Sequence, residues 1–368
     1  MEKNIKKSEI FIYIFFFLIS FCKGIGLSSS NLVYYIIYIV GLFFAVFKVF
    51  EINFTKRELF LNLIILIIGV LDFVFGKEAT ILFTAVSFFI LKKSNIDNII
   101  ISMFYGRLIG FFLMILLPML HIITMNSVSF YRNGAFILRY SFGYTHPNLL
   151  HSSFNIIVIM FIYIYFSKLN LKDYFLIETI NYVLYKYTFS RTGFLILTFS
   201  LVIFYLIKNR FKFSIYLVKH INLIFLFLII VSFLTGFLYE KFDLLYKLDI
   251  LLSGRIRYIS LLLHNFSIPL IKHIIYDGIL FDNGYIDMFY NGGFFASLWF
   301  IILQIKTNKF LIDKQLYKQA TITLIFLVYS VTESYYLSSL MNISLLFFAY
   351  AIYKNNSLSA LNNKYNCK

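Results

Sequence analysis

Residues 99–121 read IIISMFYGRLIGFFLMILLPMLH, an apolar run with one charged side chain, Arg107. The run exceeds the roughly 20 residues that an α-helix needs to cross a bilayer. A charge near the centre of such a helix costs about 2.5–3.5 kcal/mol, so Arg107 should face protein and pair with an acid, either Glu178 or Asp72. The segment therefore predicts a membrane protein.

The rest of the chain has the same character. Of its 368 residues, 61% are hydrophobic and 14% are charged, and the mean hydropathy is +0.83. Soluble domains contain about 45–50% apolar residues. This composition therefore excludes a soluble globular enzyme, a disordered chain and a disulfide-stapled secreted domain.

We predict one all-α, polytopic membrane domain over residues 1–368, with about 12 transmembrane helices and two long extracytoplasmic loops. The first apolar stretch is followed by no signal-peptide cleavage site, which indicates an uncleaved helix. The predicted spans are 10–22, 31–50, 58–75, 79–91, 99–121, 149–167, 174–189, 193–208, 220–239, 285–303, 319–332 and 335–353.

Lysine and arginine together number 33, against 17 acidic residues. Most of them fall in predicted loops on the same side as the N-terminus, and such loops stay in the cytoplasm. We therefore expect a multi-pass protein of the cytoplasmic (cell) membrane with both termini cytoplasmic, and no nucleic-acid partner. Cys22 ends the first span and Cys367 lies in the polar tail, so neither a disulfide nor a metal site is expected.

The two long outer loops are predicted at about 122–148 and 240–284. Loops of this length are uncommon unless they are functional. In residues 250–264, charged side chains alternate with bulky apolar ones, which is typical of a helix on the membrane surface. Pro269 should end this helix. We expect short surface helices in these loops.

Arginine and histidine concentrate on the predicted outer side. Arginine binds phosphate through two parallel hydrogen bonds and stays charged at physiological pH, so this side suits an anionic substrate presented from the bilayer. For any single arginine, an ordinary polar loop is the alternative explanation. The residues are His121, His146, His151, His264, His273, Arg132, Arg139, Arg191, Arg255 and Arg257.

Arg191 is the sharpest case, within Phe-Ser-Arg-Thr-Gly at 189–193. It lies at the outer start of a span, where the positive-inside tendency disfavours it. The amides of a helix N-terminus also attract anions, so the two together could form a phosphate site. Snorkelling to lipid headgroups is the competing explanation.

Two other segments carry weaker signals. In Gly-Tyr-Thr-His-Pro-Asn at 143–148, Pro147 suits a helix start, Asn148 is a candidate cap, and His146 is a candidate substrate ligand. On a helix, Arg257 and His264 would share one face, while Arg255 would point elsewhere. Asp282 heads another helix, where capping is its simplest role.

Four segments together resemble the Wzy-type polysaccharide polymerases of capsule and exopolysaccharide repeat units, within the O-antigen polymerase and ligase superfamily. They are His-Pro-Asn at 146–148, Ser-Arg-Thr-Gly at 190–193, Gly-Arg-Ile-Arg at 254–257 and Asp-Asn-Gly-Tyr at 282–285. The resemblance covers the architecture of nearly the whole chain. Leu-His-Asn-Phe at 263–266 differs from the longer histidine segment of the ligases, which favours a polymerase.

The resemblance implies a membrane glycosyltransferase that needs no cofactor or metal. It would transfer a growing glycan from undecaprenyl pyrophosphate onto a lipid-linked oligosaccharide repeat unit at the outer face of the membrane, with inversion at the anomeric carbon. The expected partners are that undecaprenyl-pyrophosphate-linked oligosaccharide, membrane lipids, and the chain-length regulator and flippase of the same pathway.

On this hypothesis the arginines stabilise the pyrophosphate, and His264 or Asp282, with His146 as an alternative, deprotonates the incoming hydroxyl. Arg107 either forms a structural ion pair or lines the lipid-pyrophosphate cavity. The candidate catalytic residues are Arg191, Arg255, Arg257, His264 and Asp282, and the candidate substrate-binding residues are Arg107, Arg139, His146 and Asn148.

Two other functions remain open. A lipid-linked oligosaccharide flippase would have a similar number of helices, but alternating access generally uses Gly- or Pro-broken helices, and this chain has 16 Gly and 3 Pro. A membrane acyltransferase would need acyl-donor access from inside, which the outer histidines fit poorly.

Overall fold

The computed structural model describes residues 7–27, 31–50, 53–132, 135–252, 254–272, 276 and 281–353. Within these ranges the chain forms sixteen α-helices, two 3₁₀ turns and one two-stranded sheet. The predicted helical class is therefore confirmed.

The helices are α1 (Lys7–Gly24), α2 (Leu32–Phe50), α3 (Lys56–Gly76), α4 (Thr80–Leu91), α5 (Ile96–Met119), α6 (Pro147–Tyr165), α7 (Leu171–Thr188), α8 (Arg191–Lys208), α9 (Lys212–Lys219), α10 (Ile221–Phe237), α11 (Asp243–Leu251), α12 (Arg255–Asn265), α13 (Gly284–Tyr290), α14 (Gly293–Asp313), α15 (Tyr317–Tyr329) and α16 (Phe348–Tyr353). The 3₁₀ turns are Tyr239–Lys241 and Ile343–Phe347, and the strands are β1 (Asn126–Arg132) and β2 (Ala135–Phe142).

Five of the described helices, α3, α5, α6, α8 and α14, are long and apolar enough to cross a membrane. The pair α9 and α10 meets the same criterion when taken together, but the two helices are bent by 67° at their junction, as in a broken span or a re-entrant loop. Each predicted span overlaps a helix, yet several of these helices are shorter than a bilayer requires. The total of about twelve spans and the orientation of the termini stay predictions.

The chain divides into two compact units, each assembled from segments distant in sequence. Unit 1 comprises residues 1–50, 96–221 and 320–332, and unit 2 comprises residues 51–95, 222–319 and 333–368. Each unit brings together helices from several parts of the chain. The assignment of the whole chain to one membrane domain stays a prediction.

In unit 1, α1 packs closely on α5 through small residues. A Cβ atom at Gly110 would lie 2.7 Å from the carbonyl oxygen of Phe21, so only glycine permits this approach. The Ser20 hydroxyl also donates to the carbonyl oxygen of Met103 at 2.7 Å. Small residues and short polar side chains are the usual means of joining helices in lipid, where apolar burial gives little driving force.

In unit 2, α12 buries an apolar face. Ile259 and Leu262 belong to a cluster with Tyr276, Ile286 and Tyr290. The single helix predicted over 250–264 is in fact two helices, because the chain breaks before α12 at Gly254, whose φ of +86° favours glycine. Short helices in the second long loop are therefore present, with a different boundary.

The first long loop differs from the prediction, because its described part contains a β-hairpin and no short helix. β1 and β2 pair antiparallel, with Val128 opposite Arg139 and Tyr131 opposite Phe136. The predictive signal was available in the sequence, since Asn133-Gly134 between two runs with aromatic and branched residues is typical of a tight hairpin turn. Those two residues lie outside the described ranges.

Candidate functional site

Arg255 begins α12 in unit 2, and two carboxylates flank its guanidinium. Its Nε lies 3.2 Å from Asp282 Oδ2, and its Nη2 lies 3.3 Å from Glu333 Oε1. Arg255 is 8% exposed, and its buried Nη1 donates no hydrogen bond to any described residue. A buried donor without a partner costs about 1–3 kcal/mol. Nη1 is therefore suited to donate a hydrogen bond to an oxygen atom of a ligand.

Glu333 was not among the residues predicted from the sequence. It lies between α15 and the 3₁₀ turn at Ile343–Phe347 and is 8% exposed. Burial raises the pKa of its carboxyl to about 7, and the Arg255 guanidinium opposes that rise. A lone acid between two predicted spans, in Val-Thr-Glu-Ser-Tyr at 331–335, was the available signal.

Asp282 does not cap the helix that follows it. The cap is Asn283, whose side-chain oxygen accepts hydrogen bonds from the amides of Tyr285 at 3.0 Å and Ile286 at 3.1 Å. The Asp282 carboxylate pairs with Arg255 instead. The expected capping role is therefore wrong, because the neighbouring asparagine fulfils it.

The N-terminus of α12 already holds a carboxylate of the chain. Asp249 Oδ1 accepts hydrogen bonds from the amides of Ile256 at 2.7 Å and Arg257 at 3.1 Å. The Tyr239 hydroxyl donates to Asp249 Oδ2 at 3.3 Å. Since these amides are the ones that would attract a phosphate, an anion binding here has to rely on arginine side chains.

Arg257 and His264 are both exposed, whereas Arg255 is buried, as their spacing along a helix predicts. Arg257 lies over the Tyr258 ring at 5.5 Å, and the His264 ring is 6.3 Å from that of Phe237. Among the described residues, neither side chain bonds to Arg255 or its acids. The structure therefore does not bring His264 to the buried ion pair.

In unit 1, Arg139 joins three elements. From β2, its Nε donates to the carbonyl oxygen of Thr188 at 2.7 Å, and its Nη2 donates to Asn148 Oδ1 at 2.6 Å. Thr188 ends α7, and the carbonyls of a helix C-terminus favour a cation. Two predicted substrate-binding residues, Arg139 and Asn148, are thus brought together in an arrangement that also stabilises the fold.

His146 is the N-cap of α6. Its Nδ1 accepts a hydrogen bond from the amide of Asn148 at 3.1 Å, and Pro147 follows at the first helical position. The expected cap, Asn148, accepts from Arg139 instead. Because the residue before a proline adopts an extended conformation, His146 has the backbone geometry that a cap requires.

Arg191 begins α8 and is half-buried. The preceding residue, Ser190, makes no side-chain capping bond to the helix. The Arg191 guanidinium forms no hydrogen bond or ion pair with any described residue. The amides of this N-terminus and the guanidinium are therefore both available to an anion.

The turn before Arg191 is held by a buried histidine. His151 is fully buried, with Nδ1 3.0 Å from Thr188 Oγ1 and Nε2 3.0 Å from Asn181 Oδ1. Since Asn181 Nδ2 donates to Glu178 Oε2 at 3.0 Å, its Oδ1 accepts from His151 Nε2. A Cβ at Gly193 would lie 2.8 Å from the His151 ring, so glycine allows α8 to lie against it.

Arg107 is 1% exposed, which confirms that it faces protein. The acids expected to pair with it have other partners. Glu178 Oε1 accepts from the Thr198 hydroxyl at 2.7 Å, and Asp72 Oδ1 accepts from the amide of Lys272 at 3.2 Å. One oxygen of each of these carboxylates therefore has a neutral donor as its partner, and the pairing of Arg107 with either acid stays a prediction.

The described residues hold no group of three or more His, Cys, Asp or Glu side chains arranged for a metal ion. His273 and Cys367, named in the sequence analysis, lie outside the described residues. Neither a known protein family nor a characterised protein or solved structure matches this chain.

Proposed function

We propose that this chain is a polysaccharide polymerase of the cytoplasmic membrane. It would transfer a growing glycan from undecaprenyl pyrophosphate onto a lipid-linked oligosaccharide repeat unit, in capsular or exopolysaccharide synthesis. The observation that carries the proposal is Arg255, a buried guanidinium with one unfilled donor beside a buried carboxyl, Glu333. An anion-binding group next to a proton acceptor is what such a transfer requires.

A polymerase handles two lipid-linked substrates, the donor and the acceptor, and each carries a pyrophosphate. The chain offers two separate arginine groups, Arg191 at the start of α8 and Arg255 with Arg257 at the start of α12. We assign one pyrophosphate to each group. Arginine suits this role because its planar fork binds phosphate oxygens in pairs.

The reaction breaks the bond between the anomeric carbon of the donor and its pyrophosphate oxygen. The acceptor hydroxyl forms the new glycosidic bond from the opposite face, which inverts the anomeric carbon, and its proton passes to Glu333. The released lipid pyrophosphate carries away the bonding electron pair, and arginine stabilises that charge. Glu333 replaces His264 and Asp282 as the proposed base, since His264 is remote from the ion pair and Asp282 is 38% exposed.

The location follows from the charge distribution of the sequence. We propose that both termini lie in the cytoplasm, that the loops at about 122–148 and 240–284 face outward, and that a chain-length regulator and a flippase work beside the protein. The five apolar helices support the membrane part of this proposal.

The direct test is to incubate the purified protein in detergent with synthetic lipid-pyrophosphate repeat units and no nucleotide sugar. A ladder of products separated by one repeat unit is expected, and unchanged substrate would contradict the proposal. Glu333→Gln should strongly reduce the ladder at equal protein level. The matched control is Glu240→Gln, which alters an exposed acid of the same unit and should leave the ladder intact.

One observation favours a second function, a lipid-linked oligosaccharide flippase. Asp72 is fully buried within α3, its Oδ2 accepts no hydrogen bond from any described residue, and Lys272 Nζ lies 3.6 Å from Glu78 nearby. Ionisable groups within spans often mark ion pathways, and transporters contain broken helices such as the bent pair α9 and α10. Translocation of a fluorescent lipid-linked oligosaccharide in sealed vesicles, lost in Asp72→Asn, would support this function over the polymerase.

A further inference from the structure

The β-hairpin of unit 1 exposes an apolar surface at the end farthest from its attachment. Tyr131 is 61% exposed and Phe136 is 79% exposed, and their rings contact each other at 5.1 Å between centroids. Leu138, two residues along β2 on the same face, is 47% exposed. We call Tyr131, Phe136 and Leu138 the hairpin tip. A contiguous exposed apolar patch is a candidate site for binding a protein or a membrane.

The base of the hairpin is fixed beside a membrane-spanning helix. The amide of Gly143 donates to the carbonyl oxygen of Met114 at 2.9 Å, and Met114 lies five residues before the end of α5. At 1.5 Å per residue, the attachment is about 7 Å inside the helix end. The hairpin is therefore attached within the last turns of a helix that is long and apolar enough to cross a membrane.

The segment that joins α5 to the hairpin is also apolar and exposed. Leu120 and Ile122 are each 65% exposed, and they continue the exposed surface that Phe112 and Leu116 form on α5. Ile123 and Met125 are exposed as well, so apolar side chains extend from the end of α5 to the start of β1, interspersed with exposed polar side chains such as His121 and Thr124. Tyrosine and other amphipathic rings are enriched where a bilayer meets water.

The part of the hairpin nearest its base packs on helix ends. Arg139, which is on the face opposite the tip residues, bonds to Thr188 and Asn148, at the ends of α7 and α6. Tyr140, which is on the same face as the tip residues, places its ring 6.4 Å from that of Tyr187 in α7. The base of the ribbon is therefore fixed against helices, and the exposed tip lies at its other end.

We propose that the hairpin tip docks into the interfacial layer of the lipid bilayer beside the end of α5. Lipid fits the surface because exposed apolar side chains extend from a helix long and apolar enough to cross a membrane along the segment that leads to the hairpin. Docking would hold the ribbon that carries Arg139 at a fixed height above the acyl chains. The proposal does not depend on the polymerase function.

The test uses tryptophan fluorescence in proteoliposomes. The only tryptophan of the chain is Trp299, so Trp299→Phe gives a silent background. Phe136→Trp places the probe at the tip, and Phe112→Trp, on the exposed surface within α5, is the lipid-facing control. Tyr131→Trp is a second tip probe on the paired strand. Lipids brominated near the headgroup and aqueous iodide are the two quenchers.

At both tip positions we expect brominated lipid to quench at least half as strongly as it does at position 112, with iodide quenching at least threefold weaker than for a free tryptophan derivative. Strong iodide quenching without lipid quenching would put the tip in water and overturn the proposal. Weak quenching by both would place the tip against protein, either a second copy or another partner, and would equally overturn it.

Discussion

The first turns of α8 and α12 both follow a tight turn and begin with an arginine, but they differ in what already occupies them. At α8 the cap residue Ser190 makes no capping bond, and Arg191 has no partner among the described residues. At α12 the carboxylate of Asp249 holds the amides, and Arg255 lies between Asp282 and Glu333.

The difference indicates two kinds of anion site. The N-terminus of α8 offers amides and a guanidinium together, which suits a static anion-binding role. At α12 the chain supplies its own carboxylates, so an incoming phosphate competes with them for Arg255, whose Nη1 donates to no described residue. On the proposed function, this arrangement would couple phosphate binding to the protonation of Glu333, because a neutral Glu333 attracts the guanidinium less strongly.

Arg255→Met should lower the free energy of unfolding more than any other substitution considered, because it removes the cation between two acids. Leaving a buried carboxylate without its partner costs about 3 kcal/mol, measurable as a lower free energy of unfolding in mixed detergent. Adding Glu333→Gln should recover a large part of that loss, because the remaining buried group is then neutral. Strictly additive losses in the double variant would show that the two side chains do not interact.

Arg191→Lys keeps the charge but loses the planar fork. We expect glycan transfer to fall about 10²-fold, the effect of removing one well-placed oxyanion donor, with protein level and unfolding unchanged. The control is Arg210→Lys, an exposed arginine beyond the other end of the same helix. If Arg191→Lys transfers glycan at the wild-type rate, the start of α8 does not bind the substrate anion.

Gly193→Ala tests whether the close approach of His151 shapes the start of α8. The added Cβ would lie 2.8 Å from the His151 ring and 3.0 Å from Ser190 Oγ. Overpacking of this kind costs about 2 kcal/mol, and we expect thermal unfolding at lower temperature together with weaker transfer. Thr192→Ala, at the adjacent half-buried position, should be close to wild type. Equal behaviour of the two variants would argue against the packing role.

The pH dependence tests Glu333 as the proton acceptor. Burial raises the pKa of its carboxyl to about 7, and only the deprotonated form accepts a proton. The transfer rate should therefore fall about tenfold for each pH unit below 7 and level off above it. Residual activity of Glu333→Gln should not follow this profile. A wild-type rate that is constant from pH 5 to about 8 would exclude Glu333 as the base.

Asp249→Ala should have the smallest effect of the set. It removes the acceptor for two amides at the start of α12, and losing a helix cap costs about 1 kcal/mol. Asp249→Asn retains an acceptor oxygen and should lie closer to wild type. If Asp249→Ala instead tightens pyrophosphate binding, the freed amides have become a phosphate site, which would confirm that Asp249 normally occupies it.

Whether a feature of this protein can be predicted from the sequence depends on how far apart along the chain the interacting residues are. The helices follow from apolar runs, and the burial of Arg107 follows from its position within one, because both are properties of a single segment. Glu333 could not be assigned in the same way, since its contact with Arg255 joins positions 78 residues apart. Asp249 and Asn283 were missed for a related reason. Asp249 reaches the amides of Ile256 and Arg257 across the turn at Gly254, and Asn283 caps a helix at a position next to Asp282, so only the backbone geometry identifies either one.

The central claim is that the two arginine groups bind the pyrophosphates of different substrates, and single-transfer kinetics test it most directly. The donor substrate is blocked at its acceptor hydroxyl, and the acceptor substrate carries a methylene group in place of its anomeric oxygen, so that each can play one role only. We predict that Arg191→Lys raises the KM for one substrate and Arg257→Lys, which spares the buried ion pair, raises the KM for the other. An increase in the KM for the same substrate in both variants would contradict the claim.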